Sequence, residues 1–309
     1  MAEKSVSIDQ AQIFLTQHFS GDASEVTYVG EGAWSRCFGF RLAGQDLVIR
    51  FGKHVDDFQK DQLACAFSSP ILPIPEVSEV GEAFDCYYAI STRVYGTPLE
   101  DLNAAQWQSV VPSLVLALEA MRTADLSSTS GVGGWGVDRS APYDTWSEHL
   151  LAVDKDTPDH RTYGWRDRLA TSVEDMDTFT WGFGLLKNLV TDDVPRSLLH
   201  CDLINRNVLV DENGLAGIFD WGCALYGDHL YDLAWFEFWA PWYPELDIAH
   251  LRSSLEQQWQ NASYNPPNVE SRLRACHLHI GLDHLAYNAY TGNWDALRAT
   301  AAQMKRLVR

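Results

Sequence analysis

The stretch that decides the fold covers residues 198–220, Leu-Leu-His-Cys-Asp-Leu-Ile-Asn-Arg-Asn-Val-Leu-Val-Asp-Glu-Asn-Gly-Leu-Ala-Gly-Ile-Phe-Asp. Its polar part, His200–Asn207, follows the pattern H-x-D-x-x-x-x-N between two apolar runs. Asp211-Glu212-Asn213-Gly214 is a hairpin signal, and 215–219 is apolar enough for a short buried strand. The stretch therefore predicts two strands around a tight turn, with Asp220 at the end of the second strand.

This arrangement brings Asp202, Asn207 and Asp220 to one edge of the hairpin. Phosphoryl transfer requires such a set, because one carboxylate deprotonates the acceptor hydroxyl while an amide oxygen and a second carboxylate hold magnesium. We therefore expect Asp202 to be the catalytic base and to contact the acceptor, and Asn207 and Asp220 to bind Mg²⁺. The alternative is an Asx-rich turn with solvated carboxylates.

The composition restricts the classes of partner. The 309 residues correspond to one large or two modest domains, and 46% hydrophobic content suffices for a core. The formal net charge of -19 argues against nucleic-acid and anionic-membrane binding, which use basic patches. The charge is compatible with a cationic small substrate, although solubility alone would also account for it.

Cysteine usage and hydropathy indicate a compartment. The six cysteines form no C-x-x-C pair, which is typical of reduced thiols and argues against a zinc site. We expect Cys201 to pack beside Asp202 rather than act as a nucleophile. Met1-Ala2-Glu3-Lys4 has no apolar signal core, and no apolar run is long enough to span a bilayer. The sequence thus predicts a cytoplasmic protein that does not contact the membrane.

The N-terminal third has strand-rich patterning. A capping box at Ser7 predicts a helix to about Phe19. The further predicted elements, in chain order, are strands 25–30, 34–42 and 46–51, a helix over 55–67, and strands 76–80 and 86–92. Gly30, Gly32 and Ser35 lie in the turn after the first strand, where glycines allow the backbone to approach a phosphate. Arg50, on the third strand, can bind phosphate bidentately, with Lys53 as the rival.

The rest of the chain has mainly helical patterning. Residues 93–98 contain Gly and Pro and predict a boundary between domains 1–94 and 95–309. The predicted helices include one with the face Trp107 to Met121, a long one over 163–190, an aromatic one near Trp235–Trp242, and two at the end of the chain. The segment 127–144 predicts a long loop.

Acidic residues in the helical part are candidates for contact with a cationic substrate. Asp232, Glu237 and Asp283 would serve if they face the cleft. The alternative for each is an ordinary solvated surface acid.

With these motifs in place, the chain resembles the aminoglycoside phosphotransferase family of kinase-like enzymes. The resemblance runs from the Gly30–Ser35 turn to the Trp242 region, although kinases have Arg at Cys201 and Phe at Trp221. Stretches outside the chemical motifs share it: Phe58-Gln59-Lys60-Asp61, Leu72-Pro73-Ile74-Pro75-Glu76-Val77, 124–131 and Ile280-Gly281-Leu282-Asp283. The 235–242 segment does not match residue for residue, which leaves the identity of the antibiotic open.

The resemblance implies an α+β, two-lobed protein-kinase-like fold, with a small antiparallel sheet lobe and a larger, mainly helical lobe. It implies ATP or GTP with Mg²⁺, and a hydroxyl of a cationic aminoglycoside as acceptor, with hygromycin B expected. Asp61 would pair with Arg50, and adenine would lie against Ser91, Thr92, Arg93 and Val94. A monomer is expected.

Two other functions remain open from the sequence. One is a kinase of a metabolic amine or sugar, such as choline or a fructosamine. The other is a nucleotide-binding pseudokinase scaffold, which would have no need for Asp202, Asn207 or Asp220.

Overall fold

An antiparallel five-stranded sheet forms the N-terminal lobe in the computed structural model, which describes residues 6–32 and 34–308. Ala33 of the predicted glycine turn and the segment 1–4 lie outside the described residues. The sheet has the strand order β1-β2-β3-β5-β4. The elements of this lobe are α1 (Ile8–His18), β1 (Ala23–Glu31), β2 (Ser35–Leu42), β3 (Gln45–Gly52), α2 (Val55–Ala64), β4 (Val77–Ala83) and β5 (Cys86–Thr92).

The two helices of this lobe pack on the sheet through different apolar clusters. α1 begins at the predicted capping box, in which the Ser7 hydroxyl accepts from the Gln10 amide and the Gln10 side chain accepts from Ser7. Its Leu15 is buried in a cluster with rings of the sheet. α2 contributes Phe58 to a second cluster and continues into a short 3₁₀ turn. The N-terminal elements predicted from the sequence are confirmed to within about three residues.

The C-terminal lobe is mainly helical, with short strands that carry the His200–Asn207 loop. Its elements are β6 (Thr97–Pro98), α3 (Ala104–Arg122), β7 (Gly133–Gly134), α4 (Trp146–Leu151), α5 (Trp165–Leu169), α6 (Val173–Leu189), β8 (Ser197–Leu199), β9 (Val208–Asp211), β10 (Gly214–Ile218), β11 (Leu225–Gly227), α7 (Leu230–Trp239), α8 (Ile248–Asn261), α9 (Val269–Thr291) and α10 (Trp294–Leu307). α9 runs through the core and is buried over most of its length.

Two small sheets position the loop. β9 and β10 form the predicted hairpin, and β6 pairs with β9 on its other side. β8 pairs with β11, which also pairs with β7. The connector between the lobes therefore leads directly into the sheet that carries Asn207. The predicted domain boundary between residues 94 and 95 falls in this connector and stays a prediction.

Several predicted elements differ from those observed. The predicted long helix 163–190 is two helices, α5 and α6, because Ser172 caps the start of the second through the Asp175 amide. The predicted loop 127–144 contains β7. α8 was not predicted, although Ile248, Leu251, Leu255 and Trp259 repeat at helical spacing and are buried.

The final helix was predicted correctly, including its cap: the Asn293 side chain accepts from the Ala296 amide. Within the part of the chain that the structure describes, no helix combines the length and apolar composition needed to cross a bilayer.

Candidate active site

A cleft of about 470 Å³ separates the five-stranded sheet from the β9–β10 hairpin. The predicted metal ligands Asn207 and Asp220 line its hairpin side. The sheet side contains the residues predicted to bind nucleotide, which are Gly30, Gly32, Ser35, Arg50, Asp61, Ser91, Thr92, Arg93 and Val94. The fold thus brings these predicted residues to one cleft, with both lobes contributing.

The apolar part of the cleft was not predicted. Val48 of β3 and Ile74, in the segment between α2 and β4, line it on one side, and Leu209 and Phe219 line it on the hairpin side. Four apolar side chains from two lobes can enclose a planar base. In the sequence each belongs to an ordinary apolar run, so no local signal separates these residues from the core.

The connector offers fewer free donors than expected. The Thr92 amide donates to Glu76 O, and the Arg93 amide donates to Asp46 O, each at 3.0 Å. These two N–H groups are therefore used within the protein. The Val94 amide is the connector donor that we expect to face the base.

The first half of the catalytic loop is held by a buried carboxylate. Asp232 on α7 is 2% exposed, and its two oxygens accept the main-chain amides of His200 at 3.1 Å and Cys201 at 2.7 Å. Burial raises the pKa of Asp232 to about 6. Cys201 is itself buried, as predicted, with a left-handed φ of 64°. Both Asp232 oxygens serve the loop, which corrects the expectation that this residue contacts substrate.

His200 connects the two strands of the motif. Its Nδ1 accepts the Asp202 amide at 3.2 Å, so the ring proton lies on Nε2, which donates to Phe219 O at 3.1 Å. Burial lowers the pKa of His200 to about 4, which keeps the ring neutral. The neutral His200 ring therefore connects Phe219, the residue before Asp220, with the Asp202 amide at the start of the loop.

Asp202 is fixed by two asparagines of its own loop. Asn205 Nδ2 donates to Oδ1 at 2.6 Å, and Asn207 Nδ2 donates to Oδ2 at 3.0 Å and to the main-chain oxygen of Asp202 at 2.8 Å. Asn205 and Arg206 have left-handed φ values of 68° and 66°, which turn the loop back toward Asp202. Asn205 was not predicted, because local spacing does not show which loop amides will turn inward.

Burial gives Asp202 the character of a base. Its pKa is raised to about 8, chiefly by desolvation, with the Asp220 charge adding to the rise and the hydrogen bond from Asn205 opposing it. With this pKa the carboxyl group of the ligand-free protein is mostly protonated near neutral pH, and its ionised form is a stronger base than an ordinary aspartate carboxylate.

Arg50 joins the sheet to the far side of the cleft. Its Nη2 contacts Asp61 Oδ2, so the predicted ion pair is present, and its Nη1 lies 3.7 Å from Asp220 Oδ1. Arg50 is mostly buried and also stacks over the Phe58 ring at 5.1 Å. The guanidinium therefore stands beside a predicted metal ligand, where a phosphate would bring compensating negative charge.

The donor set at Asn207 and Asp220 suits Mg²⁺. An amide oxygen and a carboxylate are hard ligands, and Mg²⁺ usually binds one or two such protein groups together with phosphates and water. With Asn207 Nδ2 engaged by Asp202, its Oδ1 is the atom left for a metal. The Asp220 carboxylate is 46% exposed. The described residues contain no cluster of three or more His, Cys, Asp or Glu side chains that could hold a metal without phosphate oxygens.

An acidic group that sequence reasoning missed lies beside Asp202. Glu100 accepts the Arg206 amide, and the pKa of Glu100 is raised by burial. The pKa of Tyr243 is raised by burial and then by the charges of Glu100 and Asp202, which places its phenol near both. A bound cation would lower the pKa of both carboxyl groups and so favour their ionised forms.

The other predicted substrate contacts lie elsewhere. Glu237 is 14% exposed and pairs with Arg252 at 3.1 Å and His277 at 2.9 Å, outside the cleft lining. Arg252 thus engages one carboxylate oxygen and the other lies against the buried His277 ring, so we no longer expect Glu237 to contact substrate. Asp283 is 62% exposed, beside His284, and its substrate role stays a prediction.

A family model decides the relationship of this chain to known proteins. The model described as the phosphotransferase enzyme family matches residues 58–273. This range contains the His200–Asn207 loop, Asp220 and the connector side of the cleft, and it covers well over half of the chain. Gly30, Gly32, Ser35 and Arg50, on the sheet side of the cleft, precede it. The chain belongs to this family. The phosphotransferase family assignment agrees with the chemistry that Asp202, Asn207 and Asp220 predict.

Two known proteins are similar to this chain over nearly its whole length. Hygromycin-B 4-O-kinase of Escherichia coli is 32% identical over 307 residues, which cover 96% of this chain and 83% of that protein. A thermostable mutant of aminoglycoside phosphotransferase APH(4)-Ia, in a ternary complex with AMP-PNP and hygromycin B, has a TM-score of 0.83 at 31% identity. The alignment covers 96% of this chain and 97% of that one.

A more distant match shares the fold alone. A putative fructosamine-3-kinase from Thermobifida fusca has a TM-score of 0.60 at 19% identity, covering 96% of this chain and 98% of that chain. The predicted two-lobed kinase-like fold, with a sheet-bearing N-terminal lobe and a helical C-terminal lobe, is confirmed.

Proposed function

We propose that this phosphotransferase moves the γ-phosphate of ATP to a hydroxyl of an aminocyclitol antibiotic, with hygromycin B as substrate. The observation that carries the proposal is the hydrogen bonding of both Asp202 carboxylate oxygens by Asn205 and Asn207, which line the same cleft as Arg50. The two near-full-length relatives support the choice of acceptor, because one is a hygromycin-B kinase and the other was solved with that drug.

Asp202 performs the proton step. The acceptor hydroxyl oxygen attacks the γ-phosphorus, the bond to the β–γ bridging oxygen breaks, and the hydroxyl proton passes to Asp202. The raised pKa of Asp202 favours this transfer. Asn205 and Asn207 orient the carboxylate, so little rearrangement is needed in the transition state.

Arg50, Asn207 and Asp220 act on the donor. Arg50 is pre-aligned by Asp61 and supplies positive charge to the phosphates. Asn207 Oδ1 and Asp220 would hold Mg²⁺, which neutralises the triphosphate when bound. The adenine ring would lie between the apolar residues of the two lobes, with the Val94 amide as a hydrogen-bond donor to it.

The acceptor side of the proposal rests on charge. Glu100 and Asp202 put two carboxylates beside Tyr243, and the whole chain carries a net charge of -19. An amine-rich drug is attracted to such a site, with association rates that decrease as salt increases. These charges favour a polycationic acceptor over a neutral sugar.

A coupled ADP-release assay tests the proposal. The panel should contain hygromycin B, kanamycin, choline and a fructosamine, and phosphorus NMR should locate the phosphate on any product. We expect turnover with hygromycin B that exceeds the others and requires Mg²⁺. Turnover of choline or a fructosamine alone would establish a metabolic kinase. Nucleotide binding without turnover of any acceptor would favour a scaffold.

A further inference from the structure

Two adjacent side chains of α2 form hydrogen bonds with the main chain of the segment that follows Asp220. Lys60 Nζ donates to the main-chain oxygens of Gly222 at 2.7 Å and Ala224 at 3.2 Å. Asp61 Oδ1 accepts the Trp221 amide at 2.6 Å. A helix of the N-terminal lobe therefore holds three main-chain groups of the C-terminal lobe, directly after a predicted metal ligand.

Lys60 is an unusual residue to find in this place. It is 9% exposed, and its ammonium lies 5.4 Å from the centre of the Trp135 ring. A buried cation is costly unless its hydrogen bonds are satisfied. The two carbonyls and the aromatic face provide that compensation, so the contact is specific to an ammonium with several donors.

The backbone of this segment has an unfavourable conformation that its surroundings must stabilise. Asp220 has a φ of 64°, in the left-handed region that non-glycine residues rarely adopt, and such strain persists only where surrounding contacts enforce it. The helix also approaches closely at Gly222, where an added Cβ would lie 2.8 Å from Asp57 Oδ1. Close packing and the Lys60 hydrogen bonds together restrict the turn that begins at Asp220.

Asp61 connects the segment after Asp220 with Arg50, the residue proposed to bind phosphate. One of its oxygens contacts Arg50 and the other accepts from Trp221. Lys60 and Asp61 thus connect Arg50, on the sheet, with the Asp220 turn, on the hairpin. A shift of α2 would move the cation and the carboxylate relative to each other.

We propose that Lys60 is a positioning residue that sets the metal-dependent part of nucleotide binding, by holding the Asp220 turn in its left-handed conformation. This inference rests on the proposed function, in which Asp220 binds Mg²⁺. Lys60 lies outside the cleft lining, and its effect passes through the Gly222 and Ala224 carbonyls. An interior tether with a purely structural role would not distinguish metal-bound from metal-free nucleotide.

The test is calorimetric titration of AMP-PNP with and without Mg²⁺, on the wild type, Lys60→Met and Lys60→Arg. Lys60→Met keeps the stem and removes the donors, and Lys187→Met is the control, since Lys187 is an exposed lysine on α6. For Lys60→Met we expect the Mg²⁺–AMP-PNP dissociation constant to rise about tenfold, because a hydrogen-bonded charge is lost. Metal-free binding should remain within about twofold of the wild type, well under the change expected for a charged hydrogen bond. Lys60→Arg should lie between the wild type and Lys60→Met.

Two results would overturn the inference. Unchanged Mg²⁺–AMP-PNP binding in Lys60→Met would remove any positioning role, and equal weakening with and without Mg²⁺ would show a structural tether. Wild-type binding that is insensitive to Mg²⁺ would instead refute the proposed metal site itself. If Lys60→Met does not fold, Lys60→Gln, which removes the charge and shortens the side chain, replaces it. Its Mg²⁺–AMP-PNP dissociation constant should still rise, while metal-free binding stays within about twofold of the wild type.

Discussion

Asn207 Nδ2 contacts Asp202 twice, at 2.8 Å to its main-chain oxygen and at 3.0 Å to its carboxylate. One amide group thus closes the loop and orients the base in the same interaction. Its Oδ1 is left for the metal, so Asn207 joins the acceptor side of the reaction to the donor side. The spacing of five residues between Asp202 and Asn207 allows the loop to close on itself in this way.

The first prediction concerns the base. Asp202→Asn should lower kcat by about 10²–10⁴-fold, the range for loss of a positioned base, while AMP-PNP affinity stays close to the wild type. Steady-state kinetics with hygromycin B and a separate nucleotide titration measure the two effects. Glu212→Gln, in the exposed hairpin turn, is the charge-matched control and should behave as the wild type. Activity in Asp202→Asn near the parent's would refute the assignment.

The second prediction concerns pH and stability. Burial raises the pKa of Asp202 from its usual value near 4 to about 8 in the folded, ligand-free protein. Between these values the folded state binds more protons at this site than the unfolded state, so Asp202 makes the free energy of unfolding decrease as pH rises from 4 to 8.

Asp202→Asn removes this contribution, because an amide does not titrate. Denaturant unfolding of both proteins at a series of pH values measures it. The variant should become more stable relative to the wild type as pH increases through this window. A constant difference between the two curves would show that Asp202 has an ordinary pKa in the folded protein.

The third prediction concerns the metal. Asp220→Asn should raise the magnesium concentration at which nucleotide binding is half-maximal, and should raise it more than Asp202→Asn does. The reason is that a charged metal ligand is lost. Titration of Mg²⁺ at fixed ATP measures it. The side chain is partly exposed and its removal leaves the core intact, so the melting temperature should change little. An unchanged magnesium midpoint would count against the role.

The fourth prediction separates support of the loop from substrate contact. Asp232→Asn should lower the free energy of unfolding by about 1–3 kcal/mol, because one of two buried amide donors loses a charged acceptor. The KM for the acceptor should stay nearly constant, since both oxygens face the loop backbone. Asp193→Asn, at an exposed position between α6 and β8, is the matched control. A large rise in KM with unchanged stability would restore the substrate role for Asp232.

The acids of the helical lobe show where sequence reasoning reached its limit. Asp232, Glu237 and Asp283 were selected because they are acidic and follow the motif. The structure puts Asp232 in the interior, where it binds main-chain amides, and turns Glu237 toward Arg252 and away from the cleft. Glu100, which lies beside the base, has no local feature that separates it from other acids on turns.

The sequence by itself determined the elements with short-range signals. The capping box at Ser7, the hairpin turn before Gly214 and the H-x-D-x-x-x-x-N loop depend on residues a few positions apart, whose hydrogen bonds close locally. These signals located Asp202, Asn207 and Asp220 and indicated phosphoryl transfer.

Only the tertiary structure decided which distant groups meet. The contact of Lys60 with Gly222 spans 162 positions, and the pairing of Glu100 with the Arg206 amide spans 106. Such contacts depend on how elements that are distant in the sequence pack together, and packing buries apolar area without a strong preference for any one polar partner. A buried carboxylate or ammonium therefore acquires its partner, and its pKa, only from the folded chain.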